Sequence, residues 1–237
     1  MFDFTDRVTM ITGATGNLGQ AVAQAFAAAN ATVVLIARSE ASIRQALPAL
    51  AASPNALIAP ADLTNPESVQ SAVAAALHAF GRIDVLANTV GGYKAGEPVH
   101  TTPIETWDFM FDLNVRTAFL VSQAVIPAML AQGHGAIIHT ASRAGLSGGK
   151  NAAAYSAAKS AVIRLTESLA AELKHNGINV NCVLPGVIDT PENRAAMPTA
   201  RHEHWVSADA IAQVILFLAS DAARAIHGAA VPVYGLS

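Results

Sequence analysis

Short apolar runs alternate with longer stretches of helical periodicity from one end of the chain to the other. Arg7 to Thr12 predicts a buried strand and Asn17 to Asn30 a helix. Thr32 to Ala37 (Thr-Val-Val-Leu-Ile-Ala) is β-branched and apolar and predicts strand two. A helix is expected over about Glu40 to Ala51, and a short third strand over Ala56 to Pro60. Asn65-Pro66-Glu67 opens the next helix with an N-cap residue and proline at the first helical position. Gly81 is the glycine stop that ends it. Strand four is predicted at Ile83 to Asn88. Helices follow at about Pro103 to Asp112 and Asn114 to Gln132, then strand five at Ala136 to Thr140. A long helix runs from Ala152 to Asn176, and strand six spans Ile178 to Leu184. Pro185 to Val206 carries three prolines without periodicity and reads as a loop. Ser207-Ala208-Asp209 opens the last helix, to about Ser220, and Ala230 to Tyr234 is a final strand. Strands separated by helices of ten residues or more predict an α/β fold, a mostly parallel sheet covered on both faces.

With 237 residues and no linker or internal repeat, residues 1–237 are expected to form one domain. Hydrophobic residues make up 52% and charged residues 13%, the reverse of a disordered chain. The net charge of −3 carries no basic excess, so no nucleic acid and no membrane is expected as a partner. Cys182 is the single cysteine, too few for an intrachain disulfide or a cysteine-based zinc site. The acidic start Met1 to Arg7 lacks the apolar segment of a signal peptide, and a cytoplasmic location is expected. No metal spacing is found among the histidines.

Strand one runs into Thr12-Gly13-Ala14-Thr15-Gly16-Asn17-Leu18-Gly19. Glycines between a strand and a helix let the backbone turn tightly and approach a pyrophosphate, which the helix N-terminus then favours. The spacing is Gly-x-x-Gly-x-x-Gly, and such glycines can also serve a turn alone. Strand two ends at Ala37-Arg38-Ser39, without the acid that a free ribose 2′-hydroxyl wants. Arg38 and Ser39 instead offer hydrogen bonds to a 2′-phosphate, so NADP(H) is the preferred cofactor and NAD(H) remains possible. The alternative for Arg38 is a solvated side chain paired with Glu40. Asp62 can accept from an adenine amino group, or cap a turn with Thr64 and Asn65 beside it.

Tyr155 and Lys159 stand four apart in the long helix and share a face. A free phenol titrates near 10, and a neighbouring ammonium favours its phenolate, so Lys159 is expected to lower the pKa of Tyr155 and make it a general acid/base. Ser142 lies at the end of strand five, where ligands bind in such sheets. It can hydrogen-bond a substrate oxygen or belong to a turn. Asn114 can be an N-cap. The Thr12 to Gly19 turn, Asp62, Asn88 with Gly91, Asn114, Ser142, Tyr155, Lys159 and Pro185-Gly186 with Thr190 together resemble the short-chain dehydrogenase/reductase family over essentially the whole chain.

The resemblance implies a Rossmann fold with a doubly wound parallel seven-stranded sheet, a small-molecule substrate and a homo-oligomer, dimer or tetramer. It implies Asn114, Ser142, Tyr155 and Lys159 as the catalytic set. Tyr155 would exchange the proton with the substrate oxygen, Ser142 would position that oxygen, and Lys159 would hold the nicotinamide ribose. Asn114 would hold a relay water, and Thr190 the carboxamide. The implied cofactor contacts are Gly13, Thr15, Gly16, Asn17, Leu18, Gly19, Arg38, Ser39, Asp62, Leu63, Asn88, Val90, Gly91, Tyr155, Lys159, Pro185, Gly186, Ile188 and Thr190.

Two positions depart from the family pattern. Asn17 stands where glycine is usual, and Asn88-Thr89-Val90-Gly91 replaces Asn-Asn-Ala-Gly. The implied activity is hydride transfer between NADP(H) and a carbonyl/alcohol pair, as in 3-oxoacyl-acyl-carrier-protein reductases, on a 3-oxoacyl thioester or small ketone. The loop through Gly92, Tyr93 and Lys94 and the segment Asp189 to Arg194, with Met197-Pro198 and Trp205, also resemble quinonoid dihydropteridine reductases, which lack the serine at Ser142. A dihydropteridine-type reductase is therefore the alternative. A non-catalytic NADP-sensing regulator is a third reading, against which the intact catalytic set argues. A nucleotide-sugar epimerase would explain the glycine spacing but usually needs a longer C-terminal region. His202, His204, Trp205, Tyr93 and Lys94 are candidate substrate contacts, with surface packing as the alternative. His139 and Cys182 read as buried structural residues.

Overall fold

The computed structural model describes residues 2–236. Its strands are β1 (Val8–Thr12), β2 (Thr32–Ile36), β3 (Ala56–Ile58), β4 (Val85–Asn88), β5 (Gly135–Thr140), β6 (Ile178–Pro185), β7 (Ile188–Asp189), β8 (Val206–Ser207) and β9 (Ala230–Val233). Its helices are α1 (Asn17–Ala28), α2 (Glu40–Ala46), α3 (Pro48–Ala51), α4 (Pro66–Phe80), α5 (Ile104–Phe111), α6 (Thr117–Gln132), α7 (Ala153–Leu173), α8 (Pro191–Ala196) and α9 (Ala208–Ala219). Seven strands form one parallel sheet in the order β3-β2-β1-β4-β5-β6-β9. The order reverses between β1 and β4, which opens a crevice beyond their C-terminal ends.

The strands read as unbroken apolar runs because both faces of the sheet are covered. Ile11, Val33, Leu35, Val85 and Ile138 point to one layer, where Val22 and Phe26 of α1 meet Ile211 and Ile215 of α9. Met10, Val34, Ile36, Leu86 and Ile137 point to the other, against Val73 of α4, Val121 and Met129 of α6 and Leu169 of α7. Each large side chain fully buried this way is worth about 1.5–3 kcal/mol.

Four expectations are corrected. The helix over Glu40 to Ala51 is two helices: Leu47 precedes Pro48 and leaves helical backbone, as a pre-proline residue is biased to do. β4 begins at Val85, because Ile83 bonds through both its N–H and its carbonyl to the side-chain amide of Gln132. The two helices at Asp112 and Asn114 are one continuous path through a π turn at Asp112–Arg116. The whole stretch Ile104–Gln132 is long and apolar enough to cross a membrane by length and composition. Here Met110, Val121, Val125 and Met129 pack it into the core. Finally, the segment after Pro185 is not a plain loop: β7 pairs with β8, and Thr190 caps α8 by accepting from Asn193 N–H.

Candidate active site

The crevice begins with the glycine turn between β1 and α1. Gly13 adopts φ +66°, and a Cβ on Gly19 would lie 2.0 Å from the Gly13 carbonyl oxygen, so the turn closes only with glycine there. Gly16 precedes α1 as its N-cap and offers no side-chain bond, and the first turn of α1 has no acid. Its leading N–H groups are thus presented to an anion, and the turn fits a pyrophosphate. Gly16 and Asn17 are exposed, Thr15 and Gly13 are half-buried, and Leu18 is buried beneath.

Arg38 is exposed at the end of β2, and Ser39 caps α2 by accepting from Ser42 N–H. Glu40 pairs with Arg44 at 2.7 Å, so the expected Arg38–Glu40 alternative is not formed. Asp62 accepts from both the hydroxyl and the N–H of Thr64, which hold its carboxyl below the ordinary value, helped by the charge of Arg38. Asp62 is therefore a turn cap that also faces the Arg38 side of the crevice. Leu63 is buried next to it.

Beneath the crevice lies a buried polar ladder. Thr12 donates to Asn88 Oδ1 at 2.5 Å, and the Asn88 amide meets His139 Nδ1 at 3.3 Å. His139 Nε2 meets the Ser122 hydroxyl at 3.3 Å. Ser122 itself donates to the Ala118 carbonyl, so it accepts from His139, and His139 accepts from Asn88. One neutral tautomer satisfies the row. Burial first, and the charge of Lys159 second, bring His139 down to about 4.

Val90 packs under Gly13, and Gly91 lies where a Cβ would come within 2.9 Å of both Asn114 Oδ1 and Lys159 Nζ. Asn114 sits in the π turn and clamps Gly92 through its N–H (3.1 Å) and its carbonyl (3.2 Å), while also donating to the Met110 carbonyl. Its amide is committed to backbone. Asn114 thereby acts on the site by fixing Gly92.

Ser142, at the end of β5, accepts from Ala144 N–H and lies beside Tyr155, in the first turns of α7. Burial pushes the Tyr155 phenol above its ordinary value, and the neighbouring Ser142 partly offsets this. Lys159 lies beneath, 4% exposed. Its Nζ donates to the Thr140 carbonyl at 2.9 Å and stands 6.0 Å from the Tyr155 ring centre. The expected lowering by Lys159 is not met: the direction at Tyr155 is set by burial, and Lys159, tied to a carbonyl at that distance, is not among the groups that act on it. The same burial brings Lys159 down to about 8.

Pro185 ends β6, and Gly186 N–H bonds the Val233 carbonyl, which turns the chain toward Ile188 and Thr190. Thr190 is buried, while Glu192 of α8 reaches back to Asn17. Tyr93 touches Tyr155 edge-to-face at 4.8 Å and is 68% exposed. Of the five candidate substrate contacts, Tyr93 is the one with a ring contact to Tyr155. Lys94 lies over a recess with Asn151 and Thr106. His202 bonds the Met197 carbonyl and packs on Trp205 at 4.5 Å. Cys182 is buried in β6, its thiol pushed up to about 11 by desolvation. Glu192 escaped the sequence reading, since nothing local ties it to a residue 175 positions away.

A family model described as short chain dehydrogenase matches residues 7–201. The chain is 35% identical to 2-(R)-hydroxypropyl-CoM dehydrogenase of Xanthobacter autotrophicus over 97% of each protein. It is also 35% identical to the (2S)-[(R)-hydroxy(phenyl)methyl]succinyl-CoA dehydrogenase subunit BbsD of Thauera aromatica, over 97% of this chain and 96% of that one. Among solved structures, a short-chain type dehydrogenase/reductase from Mycobacterium ulcerans superposes with a TM-score of 0.92 at 28% identity, covering 99% of this chain and 90% of that one.

Proposed function

Because this chain belongs to the short-chain dehydrogenase family, and is thereby an oxidoreductase of CH–OH/C=O pairs that uses NAD(P), we propose Tyr155 as its general acid/base and NADP(H) as its preferred cofactor. The observation that carries this reading is the convergence of Ser142, Tyr155 and the buried Lys159, whose Nζ lies 6.0 Å from the Tyr155 ring centre. The bound cofactor supplies the hydride. The α1 turn from Gly13 to Gly19 holds the pyrophosphate. Arg38 and Ser39 take the 2′-phosphate, and Asp62 and Leu63 border the adenine. Asn88, Val90, Gly91 and Lys159 hold the ribose side. Pro185, Gly186, Ile188 and Thr190 hold the nicotinamide side.

Ser142 orients the substrate oxygen at the Tyr155 hydroxyl. In reduction Tyr155 donates its proton to that oxygen, and its raised pKa keeps it protonated at neutral pH. In oxidation Tyr155 receives the proton, so that direction gains as pH rises. Lys159, whose ammonium has three donors and uses one on Thr140, has donors left for the ribose hydroxyls. Asn114 keeps Gly91 and Gly92 pressed against this group. The substrate we propose is a 3-oxoacyl thioester or small ketone, supported by two relatives named as dehydrogenases of hydroxyl compounds. A role for Ser142 next to Tyr155 speaks against the dihydropteridine alternative, which does not need it. The exposed apolar side chains of Ile104, Trp107, Phe109, Phe119 and Leu130 support assembly into a homo-oligomer.

The test is oxidation of NADPH and of NADH by the purified protein with an acetoacetyl thioester, diketones, a quinone and quinonoid dihydropterin. Ketone or thioester turnover with NADPH, lost in Tyr155→Phe, is expected. Preferred turnover of dihydropterin with NADH would overturn both the cofactor and the substrate.

A further inference from the structure

Glu192 connects two elements assigned to opposite ends of the dinucleotide. Its carboxylate accepts from Asn17 Nδ2 at 3.0 Å, at the start of α1. Glu192 stands two residues after Thr190, which caps the same helix by accepting from Asn193 N–H. Asn17 belongs to the pyrophosphate turn and Thr190 to the nicotinamide side. The first turn of α1 has no acid of its own, so Glu192 brings a negative charge to a seat built for an anion. No cation on its own helix offsets it, because Arg194 is held in two bonds by Asp189, at 2.5 and 2.8 Å. Glu192 is exposed, and its side chain has room to leave.

We infer that Glu192 sets the dinucleotide affinity of this enzyme: its carboxylate occupies the side-chain donor of Asn17 in the pyrophosphate turn, and a bound dinucleotide has to displace it. This rests on the cofactor seat proposed above. A carboxylate near a diphosphate in water opposes it by an amount worth roughly five-fold in binding at 4 Å. The contact also couples the two sides of the crevice. When the carboxylate leaves Asn17, α8 and the segment that follows it lose their tie to α1, so dinucleotide binding and the position of that segment are linked.

The test compares wild type with Glu192→Gln, which keeps the size and the acceptor oxygen and removes the charge. Dissociation constants are measured by fluorescence titration for NADPH, for NADH, and for adenosine 2′-monophosphate, which carries no phosphate at the α1 turn and no nicotinamide. Glu192→Gln is expected to bind both dinucleotides roughly five-fold tighter, by an amount that shrinks with salt, and to release them more slowly in stopped flow. The monophosphate is expected to bind both proteins equally. Unchanged or weaker dinucleotide binding in Glu192→Gln would overturn the inference while leaving the proposed function intact. An equal gain for the monophosphate would also overturn it, by showing a general charge effect. If wild type bound no dinucleotide, the proposed function and this inference would fall together.

Discussion

Asp84 and Lys159 are both charged side chains buried against the same sheet, at opposite ends of it. Asp84, just before β4, is fully enclosed. It accepts the Val8 N–H at 2.8 Å and two bonds from Arg82, at 2.8 and 2.6 Å, with Arg7 at 3.6 Å. Lys159, beside the end of β5, has one hydrogen bond among the described residues, to the Thr140 carbonyl. The carboxylate has its lone pairs filled by fixed donors, and Arg82 gains as well, its guanidinium held more firmly protonated by Asp84. The ammonium lacks such partners and pays in its pKa, which falls to about 8. A buried charge that the fold satisfies belongs to the structure. A buried charge that the fold leaves short of partners is available to a ligand.

The sharpest way to break this comparison is to remove each charge in turn. Lys159→Met keeps the volume and is expected to lose about 10²-fold or more in turnover, with Tyr155→Phe losing a comparable factor. Thermal stability should stay the same or rise, since a poorly partnered buried charge is replaced by an apolar chain. Circular dichroism melts beside steady-state rates check this; a large loss of Tm in Lys159→Met would mean that its charge supports the fold. Asp84→Ala should do the opposite. Leaving Arg82 and the Val8 N–H unpartnered is expected to cost about 3 kcal/mol in urea unfolding, with kcat nearly unchanged.

A pH-dependent effect comes from His139, fully buried in the sheet on the Lys159 side. Its folded value of about 4 lies below the ordinary 6.5. Between those values the unfolded chain binds a proton that the folded chain does not. Stability is therefore full above about pH 6.5 and falls as pH drops toward 4, by up to about 3 kcal/mol. Urea unfolding at stepped pH should show this slope, and His139→Gln should flatten it. The smallest effect is at the rim: Arg38→Ala is expected to raise KM for NADPH about ten-fold while leaving KM for NADH within a factor of two. Equal changes for both cofactors would show that Arg38 does not read the 2′-phosphate.

Much of this was legible in the residues. β2 is a short run dominated by β-branched residues, and α4 announces both its ends with Asn65-Pro66 and Gly81, so these elements fall where expected. The break at Leu47-Pro48 was equally local and could have been read from the proline alone. β7, α8 and β8 were hidden for another reason. They span two, six and two residues, too few for any periodicity, and they form because Ile188 finds Val206 in space. In the site, the positions of Ser142, Tyr155 and Lys159 were visible, but the state of Tyr155 was not. Proximity to a lysine suggested a lowered pKa, whereas burial raises it.

The order of strands and helices, the glycine turn after β1 and the shared face of Tyr155 and Lys159 follow from neighbours a few residues apart, which the chain's own periodicity encodes. Which strands lie side by side, how deeply Lys159 is buried, that Asn114 holds Gly92, and that Glu192 reaches Asn17 depend on the path of the backbone through space. Those contacts join residues 22 and 175 positions apart, and desolvation depends on everything packed around a group. No local pattern carries either quantity, so only the folded chain decides them.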